Sequence, residues 1–190
     1  MDADFSIELG RKDPVLDVPW TDPAGKLRYL DLKRRPELIA KVEEAEKFAE
    51  LADFLRRVNS AHSVVESAKC DVWATEELSA GEEIFDASHK FASYVDLVFS
   101  DIRQRRSLRL HESFARRLTE LLRRAPEIDA AVEVCVRRCF FGEEGEIDEG
   151  FYFTVYVSGY GGDESASREN WAIGTKLVET AIVQLSARPG

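Results

Sequence analysis

Six aromatic or charged side chains on the predicted strands could bind or orient another molecule: Tyr94, Asp96, Glu133, Arg137, Tyr152 and Tyr156. Tyrosine offers a large, fairly rigid contact area with a polar end, and charged groups among the rings can orient a partner or an aromatic ligand. The carboxylates and the guanidinium could also act as acid, base and anion-orienting groups around a cleft. Two simpler interpretations stay open: these tyrosines cover cross-strand neighbours, or the face packs beneath the N-terminal segment with Trp20.

The cysteines and histidines show no spacing typical of a metal site. Cys135 and Cys139 share one face of a predicted strand about 13 Å apart, at roughly 3.3 Å per residue, whereas zinc holds a thiolate at roughly 2.3 Å. The histidines fall in separate connections or element starts: His62, His89 and His111. We predict structural thiols, no metal, no cofactor and no catalytic group. A loop pair of His89 and Asp86 could exchange protons, but a solvated ring beside a turn residue is the simpler interpretation.

A glycine-rich run, Ser158-Gly-Tyr-Gly-Gly-Asp-Glu-Ser165, lies between a predicted strand and a predicted helix. This geometry can bind phosphate through free backbone N–H groups. The lysine and hydroxyl of a nucleotide-binding loop do not follow, and Asp163 and Glu164 occupy the helix end where a phosphate would sit. The run therefore predicts a tight turn and a helix cap.

The six candidate residues are positioned by two stretches with one plan, Val64 to Arg124 and Ala131 to Leu185: a strand, a polar turn region, a second strand and an amphipathic helix. Alternation predicts that one set of apolar side chains faces the helices: Val95, Leu97, Val132, Val134, Val136, Phe153, Val155 and Val157. The candidate residues then lie on the opposite face. In the first strand, Glu66 interrupts the alternation of Val64, Ala68 and Cys70. Between the later strands, residues 142–150 predict a solvated acidic loop.

The N-terminal part predicts a short strand at Phe5 to Leu9, an irregular excursion at 13–23 and a second strand at Lys26 to Leu32. Pro36 then begins a long helix that runs to Asn59. The element order is ββαββαββα, which predicts an α+β fold with a mainly antiparallel sheet and three helices on one face. From the second strand onward, this order contains that of a ferredoxin-like unit.

Length and composition predict a single domain over 1–190. Its parts are an irregular segment with one short strand at 1–25, a strand and long helix at 26–62, and strand-strand-helix units at 63–125 and 130–187. Hydrophobic content is 44% and charged content 33%, with no apolar run of membrane-spanning length. The acidic start and odd number of cysteines predict a cytoplasmic protein.

Net charge argues against nucleic acid and anionic lipid as partners, because the formal value is −10 and such surfaces attract cations. Residues 101–124 are an exception, since they hold eight arginines and three acids, which gives +5 and leaves −15 elsewhere. An RNA or acidic-protein contact there is one interpretation. The simpler one is that late-helix arginines favour the helix dipole and that the acidic loop neutralises this surface.

The absence of a nucleophile, base and metal constellation from the sequence favours a non-catalytic binding or regulatory protein that acts through protein–protein contact. The partner would be another protein or a second copy of the chain. The alternative is a small-molecule-binding protein or small enzyme that uses a polar cleft on the sheet.

Overall fold

The computed structural model describes residues 1–78, 87–142 and 147–187, which form six strands and six helical segments. The strands are β1 (Asp2–Glu8), β2 (Val15–Val18), β3 (Val65–Thr75), β4 (His89–Phe99), β5 (Ala130–Phe141) and β6 (Asp148–Gly161). The helices are a 3-10 turn (Pro36–Lys41), α1 (Glu43–Lys47), α2 (Ala49–Val58), α3 (Ile102–Arg105), α4 (Leu108–Leu122) and α5 (Glu164–Ser186).

All six strands belong to one mixed sheet, with the order β1-β5-β6-β4-β3 and with β2 also on β5. The two predicted hairpins form, β3 with β4 and β5 with β6, and β4 joins them by pairing antiparallel to β6. The sheet is mainly antiparallel, as expected, but it is mixed at one edge. There β1 and β2 both run parallel to β5, one beside residues 131–137 and the other beside residues 138–141.

The N-terminal predictions fail at two places. No strand forms over 26–32, where a bridge between Thr21 and Arg28 closes a loop instead. The carboxylate of Asp22 accepts bonds from two backbone N–H groups in this loop, and Gly25 has a φ of 69°, a conformation that favours glycine. Conversely, β2 forms inside the predicted irregular excursion. It pairs with residues 138–141 of β5, which extend beyond β1 and whose backbone groups would otherwise lack a partner on this side.

The long helix predicted from Pro36 to Asn59 is divided into three short segments. This division is one reason why the described residues form six helical segments where three helices were predicted. Val42 and Phe48 have extended backbone conformations at the breaks. The Phe48 ring packs edge-on against Phe91 and Trp171, with centroid distances of 5.5 and 6.0 Å. This aromatic packing outweighs the preference of the segment for continuous helix.

A β-bulge explains the interrupted alternation in β3. The register with β4 shifts between Ser67 and Lys69, so that one extra residue enters the strand. Ala68 consequently packs on the same face as Glu66, whereas Cys70 packs against the helix-side core. The interrupted alternation around Glu66 therefore arises because the bulge shifts the side-chain alternation by one residue between Ser67 and Lys69.

The predicted side-chain alternation is confirmed on the helix side of the sheet, where one core contains all eight apolar residues named for it. The α5 stripe is buried as predicted: Trp171, Gly174, Val178, Ala181, Ile182 and Leu185. Gly159 allows the close approach of α5, because a Cβ there would lie 2.1 Å from the Trp171 backbone nitrogen. Within the described residues, no helix has both the length and the apolar composition needed to cross a bilayer.

Candidate functional site

The outer face of the sheet, which points away from α4 and α5, carries the six side chains named from the sequence. Tyr94 and Glu133 both lie directly opposite Tyr156, and Arg137 lies opposite Tyr152. Directly paired residues of antiparallel strands share one face. The side-chain alternation therefore brings these residues together.

The N-terminal segment covers one end of the outer face, so the six residues differ in exposure. Tyr152 is only 3% exposed and packs with Leu16, Val18 and Phe141. Tyr152 therefore lies on the predicted face of the sheet, but the interpretation of packing beneath the N-terminal segment applies to it. Asp96 and Arg137 are also buried, at 6% and 8% exposure, while Tyr94 and Tyr156 are partly exposed and Glu133 is exposed.

A chain of hydrogen bonds crosses four adjacent strands beneath this face. Arg137 Nε donates to Glu8 Oε2 at 2.7 Å, and Nη1 donates to Thr154 Oγ1 at 2.9 Å. The Thr154 hydroxyl donates in turn to Asp96 Oδ1 at 2.7 Å. The guanidinium also reaches the Tyr156 hydroxyl at 3.3 Å. Thr154 thus links Asp96 to Arg137. The sequence analysis named both residues but predicted no hydrogen bonds between them.

Asp96 is a buried carboxyl group with a shifted pKa. Burial raises its carboxyl pKa from the usual 3.8 to about 6, although the Thr154 hydrogen bond and the charges of Lys69 and Arg137 act in the opposite direction. Desolvation therefore dominates, because a carboxylate loses its water on burial. Such a carboxyl can exchange a proton near neutral pH.

Half-exposed aromatic rings form a row above this network. Trp73 on β3 and Tyr94 on β4 have ring centroids 6.4 Å apart, and Tyr94 and Tyr156 have centroids 6.0 Å apart. The Arg137 guanidinium lies 5.7 Å from the Tyr156 ring centroid. We call Trp73, Tyr94, Tyr156 and Arg137 the aromatic row. It offers a partner contiguous ring surface on three neighbouring strands.

Several members of this face were missed from the sequence. Trp73 was missed because the bulge in β3 hides which of its residues point outward. Thr154 lies between Tyr152 and Tyr156 on the same face of β6, so its position could be predicted from the alternation. A single threonine in a sequence, however, does not indicate which hydrogen bonds its hydroxyl makes. Glu8 could be placed only after the parallel pairing of β1 with β5 was known.

The tyrosines differ in their relation to the groove at the β3 edge. Tyr94 alone among them lines a groove of about 660 Å³ at the β3 edge. The open part of the outer face around Tyr156 therefore favours a macromolecular partner, whereas the groove favours a small molecule.

The cysteine arrangement gives little support to metal binding. All three cysteines are free, and burial raises the pKa of the Cys135 and Cys139 thiols to about 12 each. Within the described residues, one set of three ligand atoms lies within 4.8 Å of one another, from Glu8, Glu133 and Cys135. A cation there would compete with Arg137 for Glu8 and would have to displace the Cys135 proton. We assign no metal to this set.

The three histidines occupy different surroundings. His62 is exposed in a turn, and His89 Nε2 lies 3.5 Å from Glu76 Oε1. Asp86, its predicted partner, lies outside the described residues. His111 is buried in α4 among phenylalanine rings, and this burial lowers its pKa to about 4.

The glycine-rich run forms the predicted turn and helix cap. Asp163 precedes the first residue of α5, and its Oδ1 accepts a hydrogen bond from the Ala166 N–H at 2.8 Å. The carboxylate thus occupies the helix end that a phosphate would need.

Half of the eight arginines in residues 101–124 have carboxylate partners within the fold. These ion pairs are Arg105 with Glu66, Arg106 with Asp148, Arg116 with Glu112 and Arg123 with Asp4. Asp148 belongs to the acidic loop predicted at 142–150 but forms the first residue of β6, and residues 143–146 of that loop lie outside the described residues. These pairs favour the structural interpretation of this charge.

No family model, curated protein or solved structure matches the chain.

Proposed function

We propose that this chain is a single-domain, non-catalytic binding protein of the cytoplasm that holds another protein on its outer face. The aromatic row carries this proposal, because Trp73, Tyr94 and Tyr156 remain partly exposed and their rings lie next to one another. Aromatic side chains are enriched at the centres of protein interfaces. The three free thiols support a reducing compartment.

The charges around the row favour a basic segment as the partner. Glu133 and Asp71 are exposed and lie directly opposite Tyr156 and Tyr94 in the sheet. A lysine or arginine side chain over a ring face gains about 0.5–2 kcal/mol, depending on its desolvation. Neighbouring carboxylates would add attraction and orientation. A nucleic acid fits the aromatic row poorly because the exposed charges directly opposite Tyr94 and Tyr156 are both negative.

The strand order supports a ferredoxin-like arrangement within this fold. The order β5-β6-β4-β3 places β6 where the strand predicted at 26–32 would have paired, with α4 and α5 on one face. The order predicted from 26–32 onward lacks its first strand, and β6 with α5 comes last in the chain. Counted as a circular permutation, with β6 and α5 placed before β3, the elements follow strand, helix, two strands, helix and strand.

The alternative function is small-molecule binding or catalysis in a polar cleft. The observation in its favour is the Asp96 carboxyl, which has a pKa of about 6 and is linked through Thr154 to Arg137. These groups bond mainly to one another and lie beneath the aromatic row. Binding through the row therefore ranks first.

Two matched double variants test the proposal. Tyr94→Ala with Tyr156→Ala truncates the row, whereas Leu110→Ala with Ile173→Ala truncates two exposed apolar side chains on helices. Proteins captured by the wild type would be purified and titrated against both variants, with light scattering to detect a second copy as partner. We expect the row variant to bind at least tenfold more weakly and the helix variant to be unaffected. Equal affinities would refute the proposal.

A further inference from the structure

A groove of about 660 Å³ lies at the β3 edge, between the N-terminal loop and the start of α1. It is separate from the binding face proposed above, since it shares only Tyr94 and Asp71 with that face. Its volume lies within the range of small-molecule sites, roughly 300–1,000 Å³. The edge of β3 forms one wall through residues 67–71.

Much of the lining of the groove is aliphatic. Leu32 and Leu55 are almost fully buried, and Leu30 and Val42 are partly buried against the same core. Trp20 lies at the wall, where its Nε1 donates to the Ala68 carbonyl at 2.6 Å. This hydrogen bond leaves the indole ring as an apolar surface. The groove can therefore take an aliphatic chain out of water.

Four cationic side chains also line the groove: Lys26, Arg28, Lys41 and Lys69. None of them forms an ion pair with a carboxylate of a described residue, although Lys69 lies over the Trp20 ring at 5.3 Å. Of the acidic residues in the lining, Glu43 lies near Lys47, and Glu44 and Asp71 are close enough to Cys70 to raise its thiol pKa. The lining therefore holds four cations against three carboxylates, which gives +1 in a chain of net charge −10.

We infer that the groove binds a small amphipathic carboxylate of the fatty-acid type. The aliphatic chain would lie along the leucine and valine side chains, and the carboxylate would bind the lysine and arginine groups at the rim. Charge-assisted hydrogen bonds of this kind are stronger than neutral ones. Because cations outnumber carboxylates in the lining, we expect an anionic ligand to bind more tightly than a neutral or cationic ligand with a chain of the same length.

Calorimetric titration with dodecanoate tests this inference, with dodecan-1-ol and dodecylamine as probes of the same chain length. We expect dodecanoate to bind and both other probes to bind at least tenfold more weakly. Arg28→Glu with Lys41→Glu, both exposed positions, should weaken dodecanoate binding at least tenfold. The control variant, Lys12→Glu with Arg117→Glu, makes the same charge change at exposed positions outside the groove and should bind as the wild type does.

Three results would overturn the inference: no heat and no Trp fluorescence change with dodecanoate at millimolar concentration, equal binding of dodecan-1-ol, or equal weakening by the control variant. Circular dichroism at the titration temperature establishes that each variant is folded. The Tyr156→Ala single variant, which truncates the aromatic row at a residue that does not line the groove, separates this site from the proposed protein-binding face. It retains the rim cations and the aliphatic lining, so dodecanoate binding should persist when partner binding is lost.

Discussion

Replacing Asp96 with asparagine should stabilise the protein at neutral pH. Because burial raises the pKa of the carboxyl from 3.8 to about 6, the folded state binds its proton more tightly than the unfolded state between these values. The free energy of unfolding contributed by this group therefore falls as pH rises from about 4 to 6. Asparagine remains neutral, and its side-chain oxygen can still accept the Thr154 hydrogen bond.

The size of the effect follows from the change in pKa. A rise of about two units, at about 1.4 kcal/mol each, gives an upper value of roughly 3 kcal/mol above pH 6. For a domain of this length, each kcal/mol corresponds to about 2–4 °C in melting temperature. We therefore expect Asp96→Asn to melt on the order of 5–10 °C higher at pH 7.5, with the difference vanishing near pH 4.

Urea unfolding of the wild type and variant at half-unit steps from pH 4 to 8 measures this difference. The exposed Asp71 on the neighbouring strand supplies a control, since Asp71→Asn makes the same charge change and should alter the free energy of unfolding by under about 0.5 kcal/mol. A difference between wild type and Asp96→Asn that is independent of pH would refute the reasoning. So would a lower stability of Asp96→Asn at pH 7.5.

Two further substitutions test the core. His111 is buried with a pKa lowered to about 4, so its contribution to stability is complete above pH 6.5 and is lost as pH falls toward 4; His111→Gln should flatten that loss in the same urea series, and an unchanged acid slope would contradict this. Gly159→Ala would place a Cβ 2.1 Å from the Trp171 backbone nitrogen and should cost about 3 kcal/mol or more. Gly162→Ala, where nothing lies within 4 Å of the new Cβ, should leave the melting temperature nearly unchanged, and equal melting temperatures of the two alanine variants would contradict the packing argument.

Asp96 and His111 act in opposite directions over overlapping pH ranges. Between pH 4 and 6, protonation of Asp96 in the folded state makes stability fall with rising pH, whereas exclusion of a proton from His111 makes it rise. The wild type should therefore show a shallow net slope from this pair. In Asp96→Asn, the change of unfolding free energy with pH should show the contribution of His111, and in His111→Gln it should show that of Asp96. The two measurements therefore check one another.

Local periodicity was sufficient to predict the two hairpins and their helices. In β5 and β6 the side chains alternate strictly, and Val134 and Val155 proved to be buried in the helix-side core. Such alternation persists because one face is buried along the whole strand. The stripe through Trp171 and Ile182 likewise predicted which side of α5 meets the sheet.

Long-range contacts decided the features that the sequence did not reveal. The 26–32 segment has suitable composition for a strand, yet Asp22 and Gly25 close a loop before it can pair. The ammonium of Lys33 donates to the backbone carbonyls of Ser60, Ser63 and Val65. These bonds hold the end of this segment against the turn before β3 and the first residue of that strand. Partners some thirty residues apart leave no periodic trace in a sequence.

The proposed binding face is confined to half of the sheet because the N-terminal segment covers the other half. Tyr152 and Tyr156 are four residues apart on one strand and one face, yet only Tyr156 remains available, since Leu16 and Val18 cover Tyr152. Arg137 lies at the boundary, where it bonds to Glu8 and contacts the Tyr156 ring. A buried carboxyl such as Asp96, which lowers stability at neutral pH, is expected where function opposes stability. The gain in stability predicted for Asp96→Asn therefore supports a functional outer face if the same variant also binds its partner more weakly.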